Sequence, residues 1–276
     1  MDILSLRWVP ALLPLLWGCA GAPLSDVSRV ETGVAGASSS LEGAARGFPS
    51  LRRLDGGPLA DGEIVQWIEK DRLHVRVRFA FGPDHAIEEK AVLRQEPLLV
   101  QEEWSWRELK DGLVQRQYHV DFASGKAMAE KREEGKLKRW SDKLDIVPGR
   151  TFAGFGFSLA IKRLRDRLLR GEKIELLGVG FTPTPRVGAL EVSYGGLDRM
   201  SMGGRRIQGE RFVIHPKIPF PANVVMSAPD SRIWFVPPAP AGFLRSEAPL
   251  AEPGDLVVRI DLLPGQESGP AEPTSP

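Results

Sequence analysis

Cysteine is almost absent from this chain, which has one cysteine among 276 residues. A single cysteine excludes an intramolecular disulfide and any metal cluster built on cysteine ligands. Histidine is also scarce, with four residues in the chain. They are scattered, and none has the spacing of a histidine metal motif. Metal sites need three or four ligands that converge, so we predict no metal and no cofactor.

A charge excess of either sign is absent as well. The chain has 37 basic and 36 acidic residues, for a formal net charge of +1. A nearly neutral chain produces no strong field that would attract a polyanion, so we predict no binding to nucleic acid.

The apolar run near the start of the chain is too short to span a bilayer as a helix. Residues 8–18 (WVPALLPLLWG) form an apolar run of eleven residues that follows Arg7 and contains two prolines. About 20 apolar residues are needed to cross a membrane as a helix. The shorter run, with a basic residue before it, predicts a secretory signal peptide over residues 1–18.

The single cysteine lies directly after this run. Residues 16–19 (LWGC) resemble the lipobox of bacterial lipoproteins, with Gly18 before Cys19, although Trp17 stands where a small residue is usual. The resemblance implies cleavage between Gly18 and Cys19 and acyl chains such as palmitate on Cys19. Because Ala20 rather than aspartate follows, it further implies the outer membrane, with the protein facing the periplasm. The alternative is a passenger thiol in an uncleaved segment.

The flanking segments have the composition of flexible chain. After Cys19, residues 20–47 are mostly Gly, Ala and Ser, and residues 264–276 are rich in Pro, Ser and Glu. Such segments bury too little apolar surface to offset their ordering entropy. We therefore predict a lipidated cysteine with a tether at 19–60, one β-rich domain at 61–263 and a disordered tail at 264–276.

The predicted domain is dominated by strand patterns. Residues 73–81 (LHVRVRFAF) alternate apolar and polar side chains, which is typical of a strand with one buried face. Residues 63–70 precede them across a turn at 70–72, which indicates a hairpin. Further strands are predicted at 98–107, 112–122, 126–133, 136–144, 172–181, 187–194, 198–203, 206–215, 231–236 and 255–262, with Gly195-Gly196 and Gly203-Gly204 as turns.

One helix interrupts these strands. Residues 156–171 place apolar side chains at spacings of three and four, and Gly171 is suited to end the helix. Ten to twelve short strands with one central helix favour a mainly β fold. We predict an antiparallel β half-barrel or barrel, LolA-like or lipocalin-like, with one amphipathic helix inserted in the middle of the chain.

Four stretches carry a further resemblance. They are GEIVQWIEKDRLHVRVRFAFG, QYHVDFASGKA, VPGRTFAGFGFSLAIKRL and GERFVIHPKIP. Together they resemble a domain-of-unknown-function family of bacterial envelope β-proteins, whose half-barrel is similar to that of the lipoprotein carrier LolA. The resemblance implies an envelope protein with a concave apolar face, and it carries over no catalytic residue.

Five residues are candidates for contact with a ligand. Trp104 and Trp106 share the apolar face of one predicted strand, and Tyr118 lies on that of the next. In a packed barrel these residues and Phe157 of the helix are core, whereas in an open half-barrel they would line an apolar pocket. Arg116 lies on the same face as Tyr118, either at the mouth of the barrel or positioned to meet a ligand's anionic head group.

Polar residues of the predicted helix and strands suggest three other sites. The helix carries Lys162, Arg163, Arg165, Arg167 and Arg170 on one side, which would contact an anionic lipid surface or be an ordinary solvated face.

Ser158 lies in a sequence similar to a nucleophile elbow, but no parallel strand precedes it, so we expect it to satisfy free amides at the start of the helix. His119 and Asp121 share a strand face, which we expect to be solvated. We predict no catalytic residue and no enzymatic activity.

The sequence therefore predicts a non-enzymatic lipoprotein, held on the membrane by its N-terminal lipid. Its half-barrel is expected to bind an apolar or amphipathic ligand such as a lipid or an acyl chain. The alternative is a scaffold or adaptor that contacts another envelope protein through sheet edges and proline-rich loops.

Overall fold

The computed structural model describes residues 41–202, 205–217, 229–237 and 241–262. The signal peptide, Cys19, the tether up to residue 40, Gly203-Gly204 and the tail all lie outside these ranges. The elements are β1 (Ala45–Gly47), β2 (Ser50–Arg53), β3 (Pro58–Glu69), β4 (Arg72–Ala80), β5 (His85–Arg94), β6 (Val100–Lys110), β7 (Leu113–Asp121), β8 (Lys126–Glu133), β9 (Lys136–Lys143), β10 (Thr151–Phe152), α1 (Gly156–Leu169), β11 (Ile174–Phe181), β12 (Pro185–Met202), β13 (Arg205–Pro216), β14 (Ser231–Val236), β15 (Gly242–Pro249) and β16 (Val257–Asp261).

All of these strands belong to one sheet, which is built from two antiparallel meanders. The first runs from β2 to β9 and the second from β11 to β16. β16 pairs with β2 and joins the meanders, with Ile260 opposite Leu51, while β10 adds to β11 in parallel and β1 pairs with β3. Among the described residues β9 and β10 do not pair, so the sheet is open there. The predicted mainly β, barrel-like fold with one inserted helix is confirmed.

The predicted boundary between tether and domain at residue 60 is wrong. β1, β2 and the start of β3 lie within 41–60, and Leu51 of β2 is buried. β2 lies between β3 and β16 in the sheet, and β16 is about two hundred residues away, so the local composition of this segment could not indicate both of its partners.

Local patterns did locate most of the central strands. β8 and β14 have the predicted bounds, and the β3–β4 hairpin turns at Lys70 and Asp71, whose φ angles are 47° and 63°. Gly195-Gly196 is not a turn, because β12 continues through it with a β-bulge between Tyr194 and Gly196. The sequence patterns missed β5, β10 and β15.

The helix packs against the inner face of the sheet. Its buried side chains include Ala160, Ile161, Leu164 and Leu168, which belong to the predicted stripe, and also Leu159. Burial of such a side chain stabilises the fold by about 1.5–3 kcal/mol relative to leaving it exposed. α1 ends as predicted, because Gly171 has a φ of 87° and its N–H donates to the Leu168 carbonyl at 2.9 Å. Within the described residues, no helix is long and apolar enough to cross a membrane.

Candidate functional site

A cavity of about 420 Å³ lies between the start of α1 and the inner face of the sheet. Its lining comes from both meanders and is mostly apolar, with Phe155 and Phe157 on the helix side and Ile233 and Phe243 on the sheet side. The exposed segment around Ala45 also lines it, so the cavity reaches the protein surface. Its volume falls within the range of about 300–1,000 Å³ that is typical of small-molecule pockets.

Two carboxyl groups line this apolar cavity, Glu42 and Glu89, and Glu89 lies on the sheet. Glu89 lies in β5, two residues after the buried Ile87 and two before the buried Ala91. Because alternate residues of a strand share a face, its side chain points to the same inner face of the sheet. The Trp104 Nε1 and the Phe155 backbone N–H both donate to Glu89 Oε1, at 2.8 and 2.6 Å. Among the described residues neither a hydrogen bond to Oε2 nor an ion pair with Glu89 is found. Glu89 is partly accessible, and it lines both this cavity and a smaller void of about 60 Å³.

The contact with Phe155 places Glu89 at the beginning of α1. Phe155 is the N-cap residue, it makes no side-chain capping bond, and the first turn contains no acidic residue. The Glu89 carboxyl, supplied by a strand 66 residues earlier in the chain, therefore lies at the positive end of the helix dipole. Gly154 makes this approach possible, because a Cβ there would overlap Glu89 Oε1.

Burial raises the pKa of Glu89 above its ordinary value, although the hydrogen bonds from Phe155 and Trp104 act in the opposite direction. The two N–H donors occupy the acceptor sites of Oε1, so a proton on the neutral form resides on Oε2, which has no donor. Glu89 can thus present either a hydrogen-bond donor or an acceptor to the cavity.

The other charged groups that line the cavity already have partners. Lys162 pairs with Glu42, Arg46 pairs with Glu63, and Arg232 pairs with Glu247 at 3.5 Å. These pairs lie toward the surface, where Arg46 is exposed. Glu89 is therefore the one charged lining residue of the described cavity without an ion-pair partner.

The predicted ligand-lining aromatics divide between the cavity and the core. Phe157 lines the cavity. Trp104, Trp106 and Tyr118 do not line it. Trp104 and Tyr118 stack with Phe181, and Trp106 stacks with Tyr118. The ring centroids of Tyr118 and Phe181 are 4.5 Å apart, and those of Trp106 and Tyr118 are 5.4 Å apart. Phe181 of β11 fills the space that an open half-barrel would leave, so Trp106 reaches only a small void of about 60 Å³ beside the cavity.

Arg116 lies among carboxylates of its own chain. It donates to Glu108 Oε2 at 2.8 Å and to Asp255 Oδ2 at 2.8 Å, and its guanidinium is 5.2 Å from the Trp106 ring centroid. Burial alone would lower the pKa of Arg116, but the hydrogen bonds to Asp255 and Glu108 raise it. Its charge is therefore neutralised internally and is not positioned to meet a ligand's anionic head group.

The basic face of the helix is paired as well. Arg165 donates to both carboxylate oxygens of Glu210, at 2.6 Å each. Arg167 and Arg170 share Glu172, at 2.8 and 3.1 Å. Lys162 is paired with Glu42, and burial lowers the pKa of Arg163. Most of the cations that were predicted to contact an anionic surface are therefore already paired with carboxylates of the same chain.

The remaining polar candidates are Ser158, His119 and Asp121. Ser158 lies in the third position of α1 and lines the cavity, but it makes no side-chain cap, so the predicted role at the helix start is wrong. The amides there are instead satisfied by preceding carbonyls, as in the 3.0 Å bond from Ser158 N–H to Phe155 O. His119 lies 3.8 Å from Glu103, while Asp121 accepts bonds from the turn at Ala123. No group of three metal-ligating side chains occurs in the described ranges.

Sequence reasoning missed Glu89, the most distinctive group of the site. The signal was present, because Ile87, Glu89, Ala91 and Leu93 alternate along β5 and only the second is charged. The adjacent charged residues Glu88 and Lys90 obscured that alternation, and β5 was not predicted as a strand.

Comparison with known proteins found a similarity among solved structures and none among families or curated proteins. No protein-family model and no curated protein matches the chain. Among solved structures, the chain is similar to a beta-barrel-like protein with a domain of unknown function from Brucella abortus. The two share 10% sequence identity with a TM-score of 0.45, over 82% of this chain and 98% of that chain. Similarity at this level gives no basis for a function, which has to be argued from the cavity itself.

Proposed function

We propose that this chain is a lipid-anchored protein of the bacterial envelope, on the outer membrane and facing the periplasm, whose β half-barrel binds an apolar or amphipathic ligand such as a lipid or an acyl chain. The cavity of about 420 Å³ between α1 and the sheet carries this proposal. It is non-enzymatic in this proposal, and the resemblance to LolA-like half-barrels agrees with such a role.

The chemistry of the cavity supports an apolar occupant. Apolar side chains form most of its lining, and transfer of apolar surface out of water is favourable by about 25 cal/mol per Å². Few polar groups converge on it, as in pockets that hold an apolar body and fix one polar end. The opening beside Ala45 and Arg46 offers a route of entry.

A pair of matched variants tests ligand binding. Ala248→Phe places a ring in the cavity, whereas Ala86→Phe places the same ring in a separate polar depression beside Glu88 and Arg107. We expect the native protein and A86F to release a non-covalently bound lipid on solvent extraction and to bind the apolar dye Nile red. A248F should do neither. Equal lipid content and dye binding in the two variants would overturn the proposal.

The membrane attachment rests on Cys19, which lies outside the described residues. Lipid chains contribute about 0.8 kcal/mol per buried CH₂, and two or more chains hold a protein stably on a bilayer. Mass spectrometry of the native N-terminal peptide should show a chain that begins at acylated Cys19, and Cys19→Ser should release the protein from the membrane fraction. An unmodified Cys19 or an intact signal peptide would contradict the anchor.

The adaptor remains a second proposal, and it has less support. An adaptor that adds a strand needs an accessible sheet edge, and β9 has one edge without a strand partner among the described residues. β9, however, carries Lys136, Lys138, Arg139 and Lys143 within eight residues. Charged side chains on an edge strand disfavour pairing with another strand.

A further inference from the structure

Glu89 indicates which apolar ligands would suit the cavity. The other charged lining residues, Glu42, Arg46, Lys162 and Arg232, all have ion-pair partners. Glu89 has none among the described residues, and its only hydrogen-bond donors, Trp104 and Phe155, both address Oε1. Any further partner for Oε2 must therefore come from the contents of the cavity, either water or a ligand that displaces it.

The surroundings of Oε2 favour one kind of partner. A carboxylate oxygen that faces apolar surface without a hydrogen bond is costly. A ligand group that donates a hydrogen bond to this oxygen therefore stabilises it. A primary amine supplies hydrogen-bond donors and, when protonated, a positive charge. A hydrogen bond between the amine and Glu89 forms whether the proton is on the amine or on the carboxyl group. An anionic head group would instead face a second acid, which disfavours both ionised forms.

We propose that the cavity selects apolar molecules whose polar end is a primary amine, held by a hydrogen bond between the amine and Glu89 Oε2. This selectivity rests on the proposed function, because it requires that the cavity bind apolar molecules at all. The apolar lining takes the hydrocarbon body, and Glu89, which lies at the start of α1, fixes the amine end.

Competition among three octyl compounds tests the selectivity. Nile red is bound to the full-length protein at neutral pH and displaced with octylamine, octanol or octanoate, which share one apolar body. We expect octylamine to compete at least about tenfold more tightly than octanoate, with octanol between them. Tenfold corresponds to about 1.4 kcal/mol, and one charge-assisted hydrogen bond contributes at least that much.

Two variants assign the effect to Glu89. Glu89→Gln keeps the shape and the acceptor for Trp104 and Phe155, and it should reduce octylamine to the affinity of octanol. Glu88→Gln is the matched control, because Glu88 faces away from the cavity and pairs with Lys90 and Arg107, and it should keep the native order. The thermal midpoint of each variant verifies that it is folded.

The outcomes distinguish the proposed amine selectivity from the proposed binding of apolar ligands. If the native protein binds octanoate as tightly as octylamine, or if a folded E89Q keeps the amine preference, the selectivity proposal is overturned while apolar binding stands. If neither Nile red nor any octyl compound binds, both proposals fall. Should E89Q not fold, the ranking on the native protein still decides the question.

Discussion

Arg116 of β7 and Asp255 of the loop before β16 are 139 residues apart in the chain, and Arg116 Nη1 donates to both carboxylate oxygens of Asp255, at 2.8 and 3.0 Å. Asp255 Oδ2 also accepts the backbone N–H groups of Ala251 and Glu252, each at 3.1 Å. One carboxylate therefore holds the 250–256 loop together and ties it to the first meander. Leu250 of this loop lines the cavity, so the pair also positions part of the proposed binding site.

Asp255→Asn should loosen this loop. The substitution removes the charge that Arg116 faces, and both side chains are mostly buried. We expect the free energy of unfolding in urea to fall by about 1–3 kcal/mol, because a partly buried charge loses a charged hydrogen-bond partner. Glu133→Gln is the control, since its pair with Lys138 is exposed. Equal midpoints for the two variants would show that the loop is not held by this pair.

Tyr118 should remain protonated in the folded protein far into the alkaline range. Burial raises its pKa first, and the hydrogen bond that its hydroxyl donates to Glu252 raises it further. A tyrosine pKa that is raised on folding gives stability that is present below the unfolded pKa of about 10 and lost as pH rises. Ultraviolet absorbance titrations of native protein and Tyr118→Phe should therefore coincide until alkaline unfolding begins. An additional tyrosinate in the native protein before unfolding would contradict this expectation.

Glu89 should make the folded protein less stable as pH rises. Its folded pKa is raised by burial, so its contribution is fully present below the unfolded value and is lost as pH increases through the folded value. E89Q does not titrate, and its stability relative to native protein should increase from about pH 4.5 to 7 in urea unfolding experiments.

Glu88 provides a control of opposite sign for that measurement. Burial alone would raise its pKa, but Lys90 and Arg107 outweigh burial, and the pKa of Glu88 is lowered. Its stabilising contribution is present above the unfolded pKa and lost as pH falls. E88Q should thus become less stable relative to native protein as pH rises. Parallel slopes for E88Q and E89Q would be inconsistent with the environments that the structure assigns to these neighbours.

Gly154 should tolerate a side chain much less well than Gly171. Both glycines have positive φ angles, 49° and 87°, so alanine costs about 1–2 kcal/mol of backbone strain at either position. A Cβ at Gly171 meets nothing within 4 Å, whereas one at Gly154 overlaps Glu89 and Trp104. We expect Gly154→Ala to destabilise the protein by about 1–3 kcal/mol more than Gly171→Ala in thermal or urea unfolding. Equal losses would mean that Glu89 can move away from the helix start at little cost.

Short-range pattern was sufficient for much of the secondary structure. The alternation in β4 and β7, the turn at Lys70-Asp71 and the apolar stripe that ends at Gly171 are all local features, because side-chain period and backbone φ preference act over a few residues. They predicted the mainly β fold with one helix. They also singled out Arg116 and Phe157, of which Arg116 pairs with Glu108 and Asp255 and Phe157 lines the cavity.

Contacts between distant segments decided the remainder. β2 became an inner strand because β16 pairs with it on the side opposite β3. Phe181 closed the space beside Trp104, and Asp255 neutralised Arg116. Glu89 acquired its role from Phe155, which lies 66 residues further along the chain. The amino-acid sequence alone indicates which residues can form strands, helix and turns. Which carboxylate meets which cation, and which one is left facing the cavity, depends on how the two meanders join, because those interactions exist only after the sheet has brought distant residues within hydrogen-bond distance.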